Sequence, residues 1–444
     1  MIVILGGGPA GRIASIRLAS AGKEVQLIEH GGIGGQCLHF GCMPVCALND
    51  VARQMHAAQT LQTMGIFDAI PNLNFQNMMQ EMYAIQGKIA AILDAETRTA
   101  GVDIIYGKTG GLEGNSVFIE GEKIPAETII AATGSRPYIP ALAGVDLHGV
   151  FTPHTLSEMK QLPAKIAIVG GGVMATEFAY ILSTFGCKVT ILCRSIVLKQ
   201  LDKHLRTLAL RELAGVTIRE NTCVEEITGS SDVSSVRIST AHGMEELETD
   251  AVLLAAGLVP RSEMLNGLKK GPLGEIIVND RMQTSVRNVY ACGDVTGPPY
   301  LTPVARHQGT VAADNILGKP RTMDTRFIPQ SISLSHELAF CINEQDDMAS
   351  MAIPGPAGPG TFWSVPAGET GLAKIFFKPE SGEITGTCAS GPGGGLITSY
   401  MAFLMRHHLS VQDFEEYIEV HPSTDGVTGL AKYASGLLEK RNCS

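Results

Sequence analysis

Two cysteines stand five positions apart in the run Gly34-Gly35-Gln36-Cys37-Leu38-His39-Phe40-Gly41-Cys42-Met43-Pro44. A pair at that spacing can close into a disulfide and open into a dithiol. After Cys42, Leu48, Val51, Ala52 and Met55 recur at three- and four-residue spacing, which predicts a helix. Pro44 falls where a first helical turn accepts it, because its missing N–H would be unpaired there anyway. Cys42 is therefore expected at a helix N-terminus, where partial positive charge stabilises a thiolate. Gly34, Gly35 and Gly41 let the backbone pass close to something flat or bulky. The residues alone leave three readings: a redox dithiol beside a cofactor, buried free cysteines, or metal ligands. Cys37, Cys42 and Cys46 together could hold an iron–sulfur cluster.

Elements that would position such a cofactor occur twice. Met1 to Leu5 reads as a buried strand running into Gly6-Gly7-Gly8-Pro9-Ala10-Gly11 and a helix through Ala21. Gly6, Gly8 and Gly11 fit G-x-G-x-x-G, with the first glycine turning the chain, the second admitting pyrophosphate and the third letting helix and strand pack. The next strand, Glu24 to Ile28, meets Glu29, a carboxylate placed to accept hydrogen bonds from a ribose. A second copy begins at Lys165. The strand Ile166–Val169 meets Gly170-Gly171-Gly172-Val173-Met174-Ala175, then a helix from Thr176 to Phe185 and a strand from Lys188 to Leu192. Two units imply two dinucleotides. The acid position of the second unit is Cys193, and Arg194 and Lys199 follow, two cations that could meet a 2′-phosphate.

Composition bounds the rest. A chain of 444 residues is too long for one core, so two to four domains are expected. The formal charge of −10, with no basic run, argues against nucleic acid and anionic membranes as partners. No apolar stretch reaches membrane-spanning length, and the N-terminus lacks the basic region of a signal peptide. Ten cysteines are too sparse for a disulfide scaffold, so a cytoplasmic setting with one special pair is expected. Residues 50 to 100 read as long helices, with strands at Val102–Tyr106, Ser116–Glu120 and Thr128–Ala131. Met348 to Gly360, rich in Pro, Gly and Ala, reads as a loop. Strands at Ala373–Phe377 and Ile384–Thr387 and a helix at Leu396–His407 follow. His407 and His408 read as surface.

The cysteine run resembles the active-site motif of the class I pyridine nucleotide-disulfide oxidoreductases, G-G-x-C-x-N-x-G-C-x-P-S-K, the family of lipoamide dehydrogenase, glutathione reductase and mercuric reductase. The resemblance covers essentially the whole chain, with motifs in the family's order. It implies an α/β fold of two Rossmann-like domains plus a C-terminal α+β dimerisation domain. FAD would bind residues 1–140 and 260–325, NADP or NAD residues 141–259, and residues 326–444 would form a homodimer interface. Further FAD contacts are implied for Gly35 and Gln36, for Thr133 and Gly134 of Ala132-Thr133-Gly134-Ser135-Arg136-Pro137, for Gly257, for Gly293 and Asp294, and for Pro303 and Ala305. Gly170, Gly172 and Ala175, with Arg194 and Lys199, would hold the nicotinamide nucleotide.

In the family a disulfide such as Cys37–Cys42 is opened by reduced flavin, and the outer thiol, here Cys37, then attacks a substrate disulfide, that of a small molecule or a lipoyl protein. Lipoamide is the favoured substrate. Mercuric reductase fits less well, since only Cys443 stands near the C-terminus. Glu177 matches the glutamate that reaches toward the flavin and pairs with the motif's lysine. Here Cys46 occupies the lysine position and reads as a small buried replacement. His39 stands where asparagine is common. His421-Pro422-Ser423 resembles H-P-T-x-x-E, which supplies an acid–base histidine across the dimer interface. Gly426 stands at the position of the orienting glutamate, leaving Asp425 as the nearby carboxylate.

Overall fold

The computed structural model describes residues 1–343 and 348–442; Cys443 lies outside them. Ile2–Leu5 is buried at every position and central in an all-parallel sheet. Val25–Glu29 and Val102–Tyr106 lie on one side, Thr128–Ala131 and Val289–Ala291 on the other. Parallel strands covered on both faces need continuous apolar runs, which is why Ile2-Val3-Ile4-Leu5 shows no alternation. Val289–Ala291 returns to this sheet after the whole second nucleotide unit has intervened in sequence.

The second sheet is also parallel, in the order Thr217–Arg219, Lys188–Leu192, Lys165–Val169, Ala251–Leu254 and Val150–Phe151. The chain crosses between the two sheets twice. The crossings, Ser135–Pro137 and Leu258–Pro260, pair antiparallel with each other, so one small ribbon forms the bridge. A third sheet, five-stranded and antiparallel, lies toward the C-terminus and carries the helices Gly394–Arg406 and Val427–Asn442.

The expected loop at Met348–Gly360 is corrected here. Ala349–Pro354 is a strand paired with Leu372–Phe377. It is the edge strand of its sheet and ends on Pro354, a place where a missing N–H costs no ladder bond. Its composition hid it because the pairing that makes it a strand comes from a segment further along the chain.

The dithiol run folds as a short helix, Gly35–His39, followed by the long helix Cys42–Thr63, which packs against Phe75–Thr99 and against Val173–Thr184 of the second unit. Pro9–Ser20 packs on Thr302–Ile316 because Gly309 leaves room for the Ala10 carbonyl, and Arg17 pairs with the buried Asp314 at 2.6 Å. Among the described residues no helix is long and apolar enough to cross a membrane.

Candidate active site

Cys42 is the first residue of its helix, as its spacing predicts. Its Sγ lies 3.7 Å from Oγ1 of Thr302, itself the first residue of Thr302–Ile316. Two helix N-termini therefore converge on the sulfur, and both favour negative charge there. Cys37 is half-buried on the short helix one turn before. The two thiols act on each other. Cys37 is drawn down to about 6, chiefly by the hydrogen bond from Cys42, helped by Thr302 and the Arg306 guanidinium. Cys42 is pushed up by donating that bond, by burial and by the charge on Cys37. The hydrogen bond puts the charge on Cys37, whereas the helix termini favour Cys42; the first ionisation belongs to the pair and is lowered. Sequence reasoning missed Thr302 and Arg306 as partners of the thiols, because nothing local connects positions 42 and 302.

Cys46 is exposed, which corrects the expectation of a buried replacement for lysine. Its thiol is pushed up by the burial it has and by the neighbouring charges of Cys42, Glu177 and Asp50. Among the described residues, no three His, Cys, Asp or Glu side chains are arranged to hold a metal ion, so the three thiols do not form a ligand set. Glu177 is 7% exposed, and its Oε1 accepts the Ser333 N–H at 2.8 Å. Burial raises its pKa to about 7 against that bond, with Cys42 adding to the rise and Arg53 opposing it.

The first nucleotide unit has the shape of a phosphate cradle. A side chain on Gly6 would strike the Ala132 carbonyl, and one on Gly11 the Gly6 carbonyl. Gly8 faces open space toward Gly35, where any side chain on Gly35 would meet Gly8 Cα at 2.7 Å. Pro9 opens the helix and Ala10 is buried against Gly293. Glu29 spans the loop, accepting from Gly7 N at 2.5 Å and Gly31 N at 2.7 Å. Asp294 accepts the Ser135 hydroxyl at 2.6 Å, and burial raises its pKa. Gly134 and Gly257 lie open on the crossings, with φ of 76° and 118°. Thr133 Oγ1 donates to the Arg261 carbonyl at 2.5 Å. Gln36 receives the Nε2–H of His154 at 2.9 Å, and His154 stacks on Phe40 with ring centres 4.5 Å apart. Burial, with Arg261 beside it, lowers His154 to about 4, so it stays neutral. His154 was not foreseen; it reaches the Gly35–His39 helix from the segment between Val150–Phe151 and Lys165–Val169. His39 donates to the Ile33 carbonyl at 3.1 Å and supports the loop before the dithiol. Pro303 opens the Thr302 helix and Ala305 is buried beneath it. These open glycines and inward carboxylates fit FAD.

The second cradle is built alike: a side chain on Gly170 would strike the Ala255 carbonyl, Gly172 faces open space and Ala175 is fully buried. Cys193 is buried against Gly171, and the loop behind it is fixed by Leu198 N–H to the Gly171 carbonyl at 2.7 Å. Arg194 and Lys199 extend from that loop into solvent. The site fits a nicotinamide nucleotide.

His421 is exposed at the far end of the chain, before a cis His421–Pro422 bond. Gly426 cannot be read as a lost side chain with space left over: a Cβ there would meet Ala373 Cβ at 3.0 Å and Pro356 Cδ at 3.2 Å. Asp425 is committed elsewhere, accepting from Val427 N at 2.8 Å and Thr428 Oγ1 at 3.1 Å as cap of the last helix. His407 is exposed, and His408 pairs with Glu383 at 2.7 Å.

A family model for pyridine nucleotide-disulphide oxidoreductases matches residues 1–309. The chain belongs to that family. It is 28% identical over 446 aligned residues to a dihydrolipoyl dehydrogenase of Bacillus subtilis, covering 95% of each chain. It is 24% identical to a mercuric reductase of Lysinibacillus sphaericus, covering 94% of this chain and 79% of that one. Among solved structures it resembles the HOCl-induced flavoprotein disulfide reductase RclA of Escherichia coli, at 25% identity, TM-score 0.83 and 99% of both chains. LpdA of Mycobacterium tuberculosis superposes with TM-score 0.87 at 23% identity, over 98% of this chain and 99% of that one. The family is one of flavoprotein oxidoreductases working with FAD and NAD(P)H.

Proposed function

We propose that this chain passes electrons between NAD(P)H and a disulfide substrate through a Cys37–Cys42 redox pair, most closely in the manner of a dihydrolipoamide dehydrogenase. The observation carrying this reading is the convergence of two helix N-termini and the Thr302 hydroxyl on Cys42, beside a partner thiol of lowered pKa. Residues 1–140 and 260–325 hold FAD, and residues 141–259 hold the nicotinamide nucleotide, NADPH in preference. Bound there, the two cofactors supply hydride transfer from nicotinamide to flavin and electrons to the disulfide. Cys37, the thiol whose pKa is lowered, attacks a small or lipoyl-borne disulfide, and Cys42 then closes on Cys37 to release the product dithiol.

Residues 326–444 form a homodimer interface. Leu396, Phe403, Ile418, Val420 and Tyr433 stay exposed there, an apolar area suited to a second copy. His421 then serves the neighbouring site as acid–base group near neutral pH. The buried free thiols at Cys187, Cys292, Cys341 and Cys388 suit a reducing, cytoplasmic setting. A second reading is a low-turnover flavin redox sensor. It draws on Gly426 and Asp425, neither of which orients His421.

The test is anaerobic. Purified protein is mixed with NADPH or NADH and then with lipoamide, glutathione disulfide or a coenzyme disulfide. Sustained oxidation of nucleotide with one disulfide supports an enzyme; a single turnover without recycling supports the sensor. Cys42→Ser should abolish disulfide reduction while NADPH still bleaches the flavin absorbance.

A further inference from the structure

The family's motif places a lysine opposite the buried glutamate, and here that lysine is Cys46. Seven residues on, about two turns along the same face of the helix, stands Arg53. Its Nε donates to the Leu334 carbonyl at 2.7 Å, an oxygen that also accepts Asn49 Nδ2 at 3.1 Å. The N–H of the preceding residue, Ser333, is the one that holds Glu177. The guanidinium and the carboxylate are thus gripped by consecutive residues of one turn. The Nη2 of Arg53 is buried there without a protein partner among the described residues.

We propose that Arg53 is the positioning residue that supplies the positive charge opposite Glu177, in place of the missing lysine. It does so from deeper in the same helix, braced against the C-terminal sheet's Ser333–Leu334 turn rather than from beside the dithiol. Among the described residues no ion pair joins the two, so the coupling acts through space between a buried carboxylate and a half-buried guanidinium. The other groups around Glu177 are accounted for. Cys42 and Cys46 face it from the dithiol helix, with Asp50 acting on Cys46. Tyr180, on Glu177's own helix, is pushed up by burial and by Glu212, and His56 tilts against its ring. Glu212 is occupied by His336 at 3.3 Å. Arg53 is the cation that acts on Glu177 among the described residues, opposing burial and the Cys42 charge. The inference rests on the reading of Cys37 and Cys42 as the redox pair only for its consequence, the tuning of their charge.

The measurement is the protonation of Glu177 in the FAD-loaded protein. It is read as the carboxylic C=O stretch in infrared difference spectra against Glu177→Gln across a pH series. The native midpoint should lie near neutral. Arg53→Met should raise it by about one unit, a tenfold gain in proton affinity. Arg53→Lys should hold it in place. Adding Cys46→Lys to Arg53→Met should bring the midpoint back down. Cys46→Lys alone, a change at an exposed position, should lower it below native and keeps the idea testable if Arg53→Met does not fold. A midpoint unmoved by Arg53→Met, or not lowered by Cys46→Lys, overturns the assignment. Because the readout needs no substrate, failure of the disulfide chemistry would show separately, as absent turnover with the midpoint shifts intact.

Discussion

The two nucleotide units share one plan and differ at two places. In the first, Glu29 closes the glycine loop from the end of the second strand. In the second, the same place holds Cys193, packed against Gly171, with two cations projecting from the loop behind it. The helices differ too. Pro9–Ser20 packs on Thr302–Ile316 inside its own domain, whereas Val173–Thr184 packs on the dithiol helix and carries Glu177 to it. Counting from the first glycine, Glu177 corresponds to Ile13. One plan thus forms a glycine cradle in both units and, in the second, also carries a buried carboxylic group, a strut, to the dithiol helix.

The largest effect should come from filling each glycine turn in turn. Gly11→Val drives a side chain into the Gly6 carbonyl and Ala132 Cβ. The protein should purify without flavin absorbance, or fail to accumulate. Gly170→Val drives one into the Ala255 carbonyl at a φ of 140°. That protein should stay yellow and accept electrons from dithionite but not from NADPH. If Gly170→Val also loses its flavin, the units do not divide the two cofactors as proposed.

The strut predicts a pH dependence. Glu177 titrates at about 7 when folded, above its ordinary carboxylate value, chiefly because it is buried. A raised folded pKa means the fold binds the proton more tightly than the unfolded chain does. Its contribution to stability is full below the unfolded pKa and is lost as pH rises through about 7. The loss should be about 3 kcal/mol, and urea denaturation at stepped pH should show it. Glu177→Gln should flatten that part of the profile. Parallel profiles for the two proteins would mean that Glu177 is ionised throughout.

What was legible in the sequence was what is local. Both strand–glycine–helix units, the helix start at Cys42 and the strands at Val102–Tyr106, Thr128–Ala131 and Lys188–Leu192 depend on residues a few positions apart. What was hidden depends on distant partners. The strand Ala349–Pro354 exists through Leu372–Phe377, and Thr302 meets Cys42 across 260 positions. Arg53 and Glu177 meet only through the Ser333–Leu334 turn. Gly426 shows the same lesson in reverse. Its glycine marks a departure from the family motif, but only the packing of Ala373 and Pro356 shows that a side chain there would sit tightly against both.

The smallest expected effect tests the first difference between the units, the absence of a carboxylate at the end of the second unit's second strand. With Cys193 buried, no acidic side chain follows the second strand to repel a 2′-phosphate, and Arg194 is free to approach one. A charge-assisted contact of that kind is worth about 1.5–3 kcal/mol when formed, and solvent exposure places Arg194 at the low end. Arg194→Ala should therefore weaken NADPH about tenfold and leave NADH nearly unchanged, since NADH has no phosphate at that position. Lys199→Ala should act in the same direction. The comparison is made from the concentration dependence of flavin reduction with each nucleotide, so that binding is separated from hydride transfer. Equal losses for both nucleotides would show that the loop positions the shared part of the cofactor. A clear NADH preference in the unaltered protein would show that the cations play no part in choosing between the two.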